Sequence, residues 1–341
     1  MESEEKKKKA LNMNDVARLA GVSVATVSRV INNSDKVSKK TRNRVMKIIE
    51  NVDYVPNEVA RGLVTQNSST IGILLPDIFN GYYAEIISYI EPLLSENGFS
   101  LQLCITNHDA KKLEFYVDDL IRRRVAGIII LSLKIDSPKL VKKMKNSTAV
   151  VTVEGDIDPV DRVCVENKKA MYEAVETLIS NGHRRIAFIG YSFDHASLNS
   201  RLEGYKSALE DHHIPLREEY IMDESHCPMP GYHAMQKLLE MPEVPTAVQC
   251  INEYCARSVY MALLERGISI PDEISVSAFD GQESSKLLVP KLTTMVLPIQ
   301  EMAREVVKLL IQNINYGNSE TPRTVIFPGK IRLGDSVKKI N

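Results

Sequence analysis

From Thr70 onward the chain repeats one theme: a short, nearly uninterrupted apolar run followed by a longer segment with apolar residues at helical spacing. "TIGILLPD" precedes a helical pattern over 81–97, "SLQLCIT" one over 110–124 and "GIIILS" one near 137–145, and "AVVTVE" closes the series. A strand that is apolar at every position is buried on both faces, as in a parallel sheet covered by helices on both sides. A second series follows. It runs "DRVCVE", a helix over 167–180, "RIAFIG", a helix over 198–212, a strand near 219–222, a helix over 231–240, "TAVQCIN", a helix over 253–266 and "ISVSAFD". This rhythm predicts an α/β fold of doubly wound parallel sheets, and two series of this length predict two lobes. We expect the first lobe at about 70–160 and 295–322 and the second at about 161–294 and 323–341, with a final helix over 299–315.

Folds of this kind bind ligands outside the carboxyl ends of their strands. Those ends are the loops at 76–83, 106–109, 132–136, 190–197, 252–254 and 280–283, facing a cleft between the lobes. Motifs for other chemistries are missing. There is no G-x-G-x-x-G, no G-x-x-x-x-G-K-[ST] and no G-x-S-x-G, so we expect no enzyme and no cofactor.

The first 66 residues have a different texture. They carry 13 Lys+Arg against 8 Asp+Glu, whereas the remainder carries 30 against 36. A basic head on an acidic body points to a polyanionic partner for the head alone. Three short helices are expected there. Asn14 is placed to cap "DVARLA", Ser23 to cap "VATVSRVI" and Ser38 to cap "KKTRNRVMKIIEN", with Gly21 ending the first helix in a left-handed conformation. Val16, Leu19, Ala20, Val27 and Val30 would face Val45, Ile48, Ile49 and Val52 across a small core. Two helices joined by a short glycine-containing turn form a helix-turn-helix. After Pro56, "NEVARGL" reads as a marginal helix and "VTQNSST" as a linker.

No apolar run approaches the roughly 18–20 residues that cross a membrane, and "MESEEKKKKALNMN" has no apolar core after its lysines. The expectation is a cytoplasmic protein. Five scattered cysteines read as reduced thiols, and the His226, Cys227 and His233 grouping matches no zinc spacing, so no metal site is expected.

The run "NDVARLAGVSVATVSRVINNSDKVSKKTRNRVMKIIENVDYVPNEVARGL" (14–63) resembles the DNA-binding head and hinge of the lactose/galactose repressor family. The similarity continues in "IGILLPD", "VAGIII", "LISNGHRRIAFIG", "RLEGYKSAL", "IPDEISVSAFD" and "LTTMVLP", and so spans nearly the whole chain. It implies a charged tail over 1–12, a helix-turn-helix domain over 13–56, a hinge helix and linker over 57–69, and an effector-binding and dimerisation domain over 70–341.

The resemblance implies that the second helix enters the major groove. Val24 and Ala25 would sit at base-reading positions, where small apolar groups touch thymine methyls but cannot form paired hydrogen bonds. Arg29 is placed for the strong contact, a bidentate pair to guanine. Thr26, Ser28, Asn32 and Ser38 are short donors suited to phosphate oxygens, although Ser23 and Ser38 are equally suited to capping. In the hinge, the family pattern carries Leu63 as a minor-groove wedge, with Asn57 as cap and Val59, Ala60 and Arg61 against the groove or a second hinge. For the body, the family pattern carries Arg201, Asn252 and Asp280 as effector contacts. Asp77, Tyr82, Tyr83, Phe193, His195 and Gln282 are candidates from loop position. Two departures stand out: Glu253 follows Asn252, and Glu166 precedes Asn167, where the family commonly has Asp at each of those positions.

The reading is therefore a homodimeric, sequence-specific transcriptional regulator. It binds a pseudo-palindromic DNA operator under control of a small sugar-like effector. A purine-controlled or protein-coregulated regulator of the same family is the alternative, and a cytoplasmic sugar-binding protein without regulatory role a remoter one. The segment "FPGKIRLGDSVKKIN" shows no leucine heptad of the kind that joins two dimers in some family members, so the expected assembly is a dimer.

Overall fold

The computed structural model describes residues 12–31, 36–52, 68–155, 157–190, 195–224 and 229–340. The chain divides at Ser68 into two units.

The smaller unit contains α1 (Met13–Ala20), α2 (Val24–Ile31) and α3 (Lys39–Asn51). The cap of α1 is Asn12 rather than Asn14. Its side chain accepts from the Asn14 and Asp15 amides, and Asp15 reaches back to the Asn12 amide, a reciprocal capping box. Gly21 ends α1 at φ 61°, ψ 41°, where a β-carbon would be strained. Ser23 and Ser38 cap α2 and α3 through the Thr26 and Thr41 amides. The core is Val16, Ala17, Ala20, Val27, Val30 and Val45. Leu19 is not in it: Ala17 takes the inward position and Leu19 is 53% exposed.

The larger unit is built on two six-stranded sheets, ordered β11-β5-β4-β3-β1-β2 and β12-β10-β9-β8-β6-β7. The first sheet holds β1 (Thr70–Leu75), β2 (Ser100–Ile105), β3 (Gly127–Leu131), β4 (Ala149–Val153), β5 (Asp161–Val165) and β11 (Thr324–Phe327). The second holds β6 (Ile186–Gly190), β7 (Ile221–Asp223), β8 (Ala247–Cys250), β9 (Ser275–Asp280), β10 (Thr293–Val296) and β12 (Lys330–Arg332). All pairings are parallel except β10 with β12. β3, β4, β6, β8 and β9 are buried at every residue, which is why they read as unbroken apolar runs.

Around the first sheet lie α4 (Gly81–Glu96), α5 (Ala110–Arg122), α6 (Pro138–Ser147) and α11 (Ile299–Tyr316). The second lobe carries α7 (Asn167–Ser180), α8 (Ala196–Asp211), α9 (Pro230–Leu239) and α10 (Glu253–Glu265). The strand expected near 219–222 starts later, because Glu218–Tyr220 is a 3₁₀ turn.

The lobe limits need correction. β5 belongs to the first sheet, with Val151 opposite Asp161, and so does β11, with Thr324 opposite Arg162. β10 belongs to the second, with Thr293 opposite Ser277. The chain thus crosses between lobes three times, near 166, 297–298 and 328–329. Which sheet a strand joins is decided by long-range pairing, so order along the chain misplaces these strands.

One buried ion pair ties β11 to the first lobe. Asp161, its side chain 1% exposed, accepts from the Arg323 amide at 2.7 Å and Nε at 3.2 Å, and from Asn313 Nδ2 at 3.0 Å. Burial pushes the Asp161 pKa up, but the Arg323 bonds outweigh it and hold the carboxyl below the usual range. A depressed pKa adds stability above the unfolded value near 4 and loses it as pH falls. Arg323→Ala should cost about 2–3 kcal/mol at pH 7, less than a fully buried pair because Arg323 is 38% exposed. Thermal melting should show the gap from wild type closing below pH 4. A gap that stays constant with pH would remove this pair as its cause.

Candidate DNA-reading head and effector cavity

In the head, α2 divides into two faces. Val27 and Val30 are buried, while Val24, Ala25 and Arg29 are exposed and Thr26 and Ser28 are half-buried. The outward face is therefore small, apart from one long cation. Ser23 and Ser38 serve as caps, each also bonded to a threonine hydroxyl, Thr26 at 2.9 Å and Thr41 at 3.0 Å. The first turns of α3 add Lys39, Lys40, Arg42 and Arg44 without an acid. Asn32, Asn57, Val59, Ala60, Arg61 and Leu63 lie outside the described residues, as does Phe193 in the body.

In the body, the carboxyl ends of strands from both lobes converge on one cavity. Its lining includes Asp77, Asn80, Tyr82, Tyr83, His108, Ser132, Glu154, His195, Arg201, Asn252 and Asp280. Four of these have left-handed backbones at strand ends: His108 (φ 57°), Ser132 (φ 47°), Glu154 (φ 55°) and Asp280 (φ 110°). Such conformations cost about 1–3 kcal/mol each in non-glycine residues and cluster where function holds them. After Asp280, Gly281 continues at φ 71°, and a β-carbon there would lie 2.4 Å from Val296 Cα.

Arg201, on the second turn of α8 and 5% exposed, is the node of a buried network. Its Nε donates to Asn167 Oδ1 at 2.8 Å, and its Nη1 donates to the Ile251 carbonyl at 2.8 Å and to Asp280 Oδ1 at 3.3 Å. The guanidinium carbon lies 3.8 Å from the Phe279 ring centroid. Asn167 in turn donates to Glu154 Oε2 at 2.7 Å, and the Val165 amide donates to Glu154 Oε1 at 2.7 Å. Burial raises the Asp280 carboxyl to about 6 even though Arg201 pulls it down.

Asn252 caps α10 through the Cys255 amide at 2.9 Å while lining the cavity. Asp77 accepts from the Phe79 and Asn80 amides at 2.7 and 3.1 Å. Its pKa is raised by burial, but the contact with His108 and these amides bring it down overall. Tyr82 and Tyr83 are buried edge to face, centroids 5.6 Å apart. The Tyr82 hydroxyl is buried with no hydrogen-bond partner among the described residues. Burial, then Glu154 and Asp280, push its pKa well above 10.

Gln282 sits behind Asp280 rather than in the lining. Its Nε2 donates to Asn80 Oδ1 at 3.2 Å, across the lobes, and its Oε1 accepts from Arg257. Ser197 makes a second cross-lobe bond, to the Glu154 carbonyl at 3.0 Å. Glu253 is wholly buried beneath the site and accepts from the Gln282 amide at 3.0 Å. Burial and then Asp280 raise it to about 7. Glu166 lies at the surface, 3.5 Å from Lys169.

Sequence reasoning missed Glu154 and Asn167. A signal existed, since Glu154 closes "AVVTVE" just as Asp280 closes "ISVSAFD". Among the described residues no group of three or more His, Cys, Asp or Glu is gathered to hold a metal, and no helix is long and apolar enough to cross a membrane.

Comparison with known proteins gives two family matches. Residues 12–57 match "Bacterial regulatory proteins, lacI family". Residues 68–334 match "Periplasmic binding proteins and sugar binding domain of LacI family". Catabolite control protein A of Priestia megaterium is 32% identical over 330 residues, 95% of this chain and 98% of that protein. The transcriptional repressor PurR of Mannheimia succiniciproducens is 31% identical over 329 residues, 96% and 98% of the two chains. Among solved structures, the transcriptional regulator CelR in complex with cellobiose matches with a TM-score of 0.70 at 27% identity, covering 96% of this chain and 99% of that one.

Proposed function

This chain belongs to the lacI family of bacterial regulatory proteins and is a DNA-binding transcriptional regulator, and from that premise we propose how it works. It acts in the cytoplasm as a homodimeric repressor. Two heads read the halves of a pseudo-palindromic operator, and a small sugar-like effector in the cleft sets the affinity. Val24, Ala25 and Arg29 read bases, Thr26, Ser28, Asn32 and Ser38 position the backbone, and Asn57, Val59, Ala60, Arg61 and Leu63 engage the minor groove. Arg201, Asn252, Asp280, Asp77, Tyr82, Tyr83 and Phe193 bind the effector, with Gln282 supporting.

The observation that carries this reading is the cavity itself. Its polar groups come from both lobes, and the cross-lobe bonds Asn80–Gln282 and Ser197–Glu154 lie beside it. A ligand that contacts both lobes favours one lobe arrangement over another, and that difference is the coupling available to the heads. A purine-controlled regulator is the second reading, which the two aromatic rings of Tyr82 and Tyr83 in the cavity lining support.

Dimerisation has its own support. Leu287 and Val289, in adjoining segments of the second lobe, are 83% and 89% exposed. β2 is an edge strand with Leu103 outward. Replacing Leu287 and Val289 together by Asp should give a monomer in sedimentation at micromolar protein. Its affinity for a palindromic site should fall about 100-fold or more, because two linked heads bind far more tightly than one. An intact dimer in the double variant would place the interface elsewhere.

A further inference from the structure

We propose that the cleft is selective by charge: it accepts uncharged or amine-bearing polar ligands and excludes phosphorylated and carboxylate-bearing ones. The inference rests on the reading of this cavity as the effector site.

Three carboxylates line the cavity, Asp77, Glu154 and Asp280, against one permanent cation, Arg201, among the described residues. That cation is already paired with a carboxylate. Its Nε and Nη1 are bonded to Asn167, Ile251 and Asp280, and its face lies on Phe279. Its charge is thus balanced by Asp280, and no second permanent cation faces Asp77 or Glu154 in the lining among the described residues. Glu154 is 3% exposed and fixed by the Val165 amide and Asn167 Nδ2, so its charge cannot swing away from an incoming ligand. His108 is set against Asp77 at 3.6 Å, and His195, Tyr82 and Tyr83 are the other titratable groups of the lining among the described residues.

Tyr82 adds direction. Its buried hydroxyl has no partner among the described residues and lies in the field of Glu154 and Asp280. It therefore presents a proton to a neutral ligand oxygen, or a lone pair to an ammonium group. A phosphate dianion here would meet three fixed carboxylates at short range and low dielectric, where repulsion is weakly screened. Other cations, Arg162, Lys168 and Lys169, line an open groove with Glu166 that meets the cavity at Ser197. The chain has basic residues available nearby and does not place them in this cavity.

The test uses the full chain and matched probes. Glucose, glucosamine, glucose 6-phosphate and glucuronate form one set, and ribose with ribose 5-phosphate and cellobiose with its phosphate form others, each screened by thermal shift and then calorimetry. The expected result is that in every set giving a ligand, the neutral or amino member binds at least tenfold tighter than its phosphorylated or acidic counterpart. A phosphorylated or acidic member that binds as tightly or tighter overturns the charge rule and leaves the sugar-effector reading standing. If no member of any set binds, the sugar-effector reading itself fails, and this inference falls with it.

Discussion

Arg201→Ala should abolish the effector response while sparing operator binding. Three side-chain bonds and a ring contact converge on this one guanidinium. Removing it leaves Asp280, 2% exposed, without its cation, and leaves Asn167 Oδ1 and the Ile251 carbonyl without their donor. Breaking a buried charge pair by removing one partner typically costs about 3–5 kcal/mol of stability, so the emptied corner loses its arrangement as well as its cation. The Asp280 carboxyl, already raised to about 6, would rise further and take up a proton near neutrality. Arg201→Lys should not rescue, because an ammonium cannot reproduce the planar fork that spans three acceptors. Calorimetry with the ligand and anisotropy with operator DNA separate the two readouts. A variant that binds ligand like wild type would remove Arg201 from the site. One that also loses operator binding would point to general unfolding, which circular dichroism detects.

The second large effect is expected in the head. Arg29→Ala should erase operator discrimination while leaving ligand binding unchanged. The outward face of α2 offers Val24, Ala25, Thr26, Ser28 and Arg29, and only Arg29 can form a paired contact with a base edge. Losing such a contact costs about 1–3 kcal/mol of discrimination per half-site, and a dimer loses it twice. Replacing Thr26, proposed to contact the phosphate backbone, should instead weaken binding to all sequences alike. Competition between operator and scrambled duplex at fixed salt distinguishes these outcomes. An unchanged ratio in Arg29→Ala would mean that another residue reads the bases.

Much of the candidate cavity was legible because acids and amides at strand ends are visible in the sequence. "ISVSAFD" and "TAVQCIN" each close on a polar residue, and Asp280 and Asn252 both line the cavity. Glu154 closes "AVVTVE" in the same way, yet its part depends on a left-handed backbone that residue type does not reveal. Asn167 matters through Glu154 and Arg201, partners 13 and 34 residues away that the fold alone brings together. Glu166, conspicuous as a departure, faces outward. In the head, alternation of small and apolar residues marked Val27 and Val30 as interior, but equally suggested Leu19, which α1 turns to the surface. The strand β5 was recognisable in "DRVCVE" and β10 was not marked as a strand, and the lobes of β5, β10 and β11 follow from pairing register and three crossings.

The central claim is that the cleft and the DNA-reading head are coupled. The direct measurement is the operator affinity of the full-length chain, by fluorescence anisotropy at fixed salt, with the cleft empty and then saturated by a ligand that Arg201→Ala fails to bind. The account predicts a change of about 5–150-fold, the range of ordinary allosteric coupling, with the reciprocal change in ligand affinity when operator is bound. Equal operator affinity in the two states would contradict it.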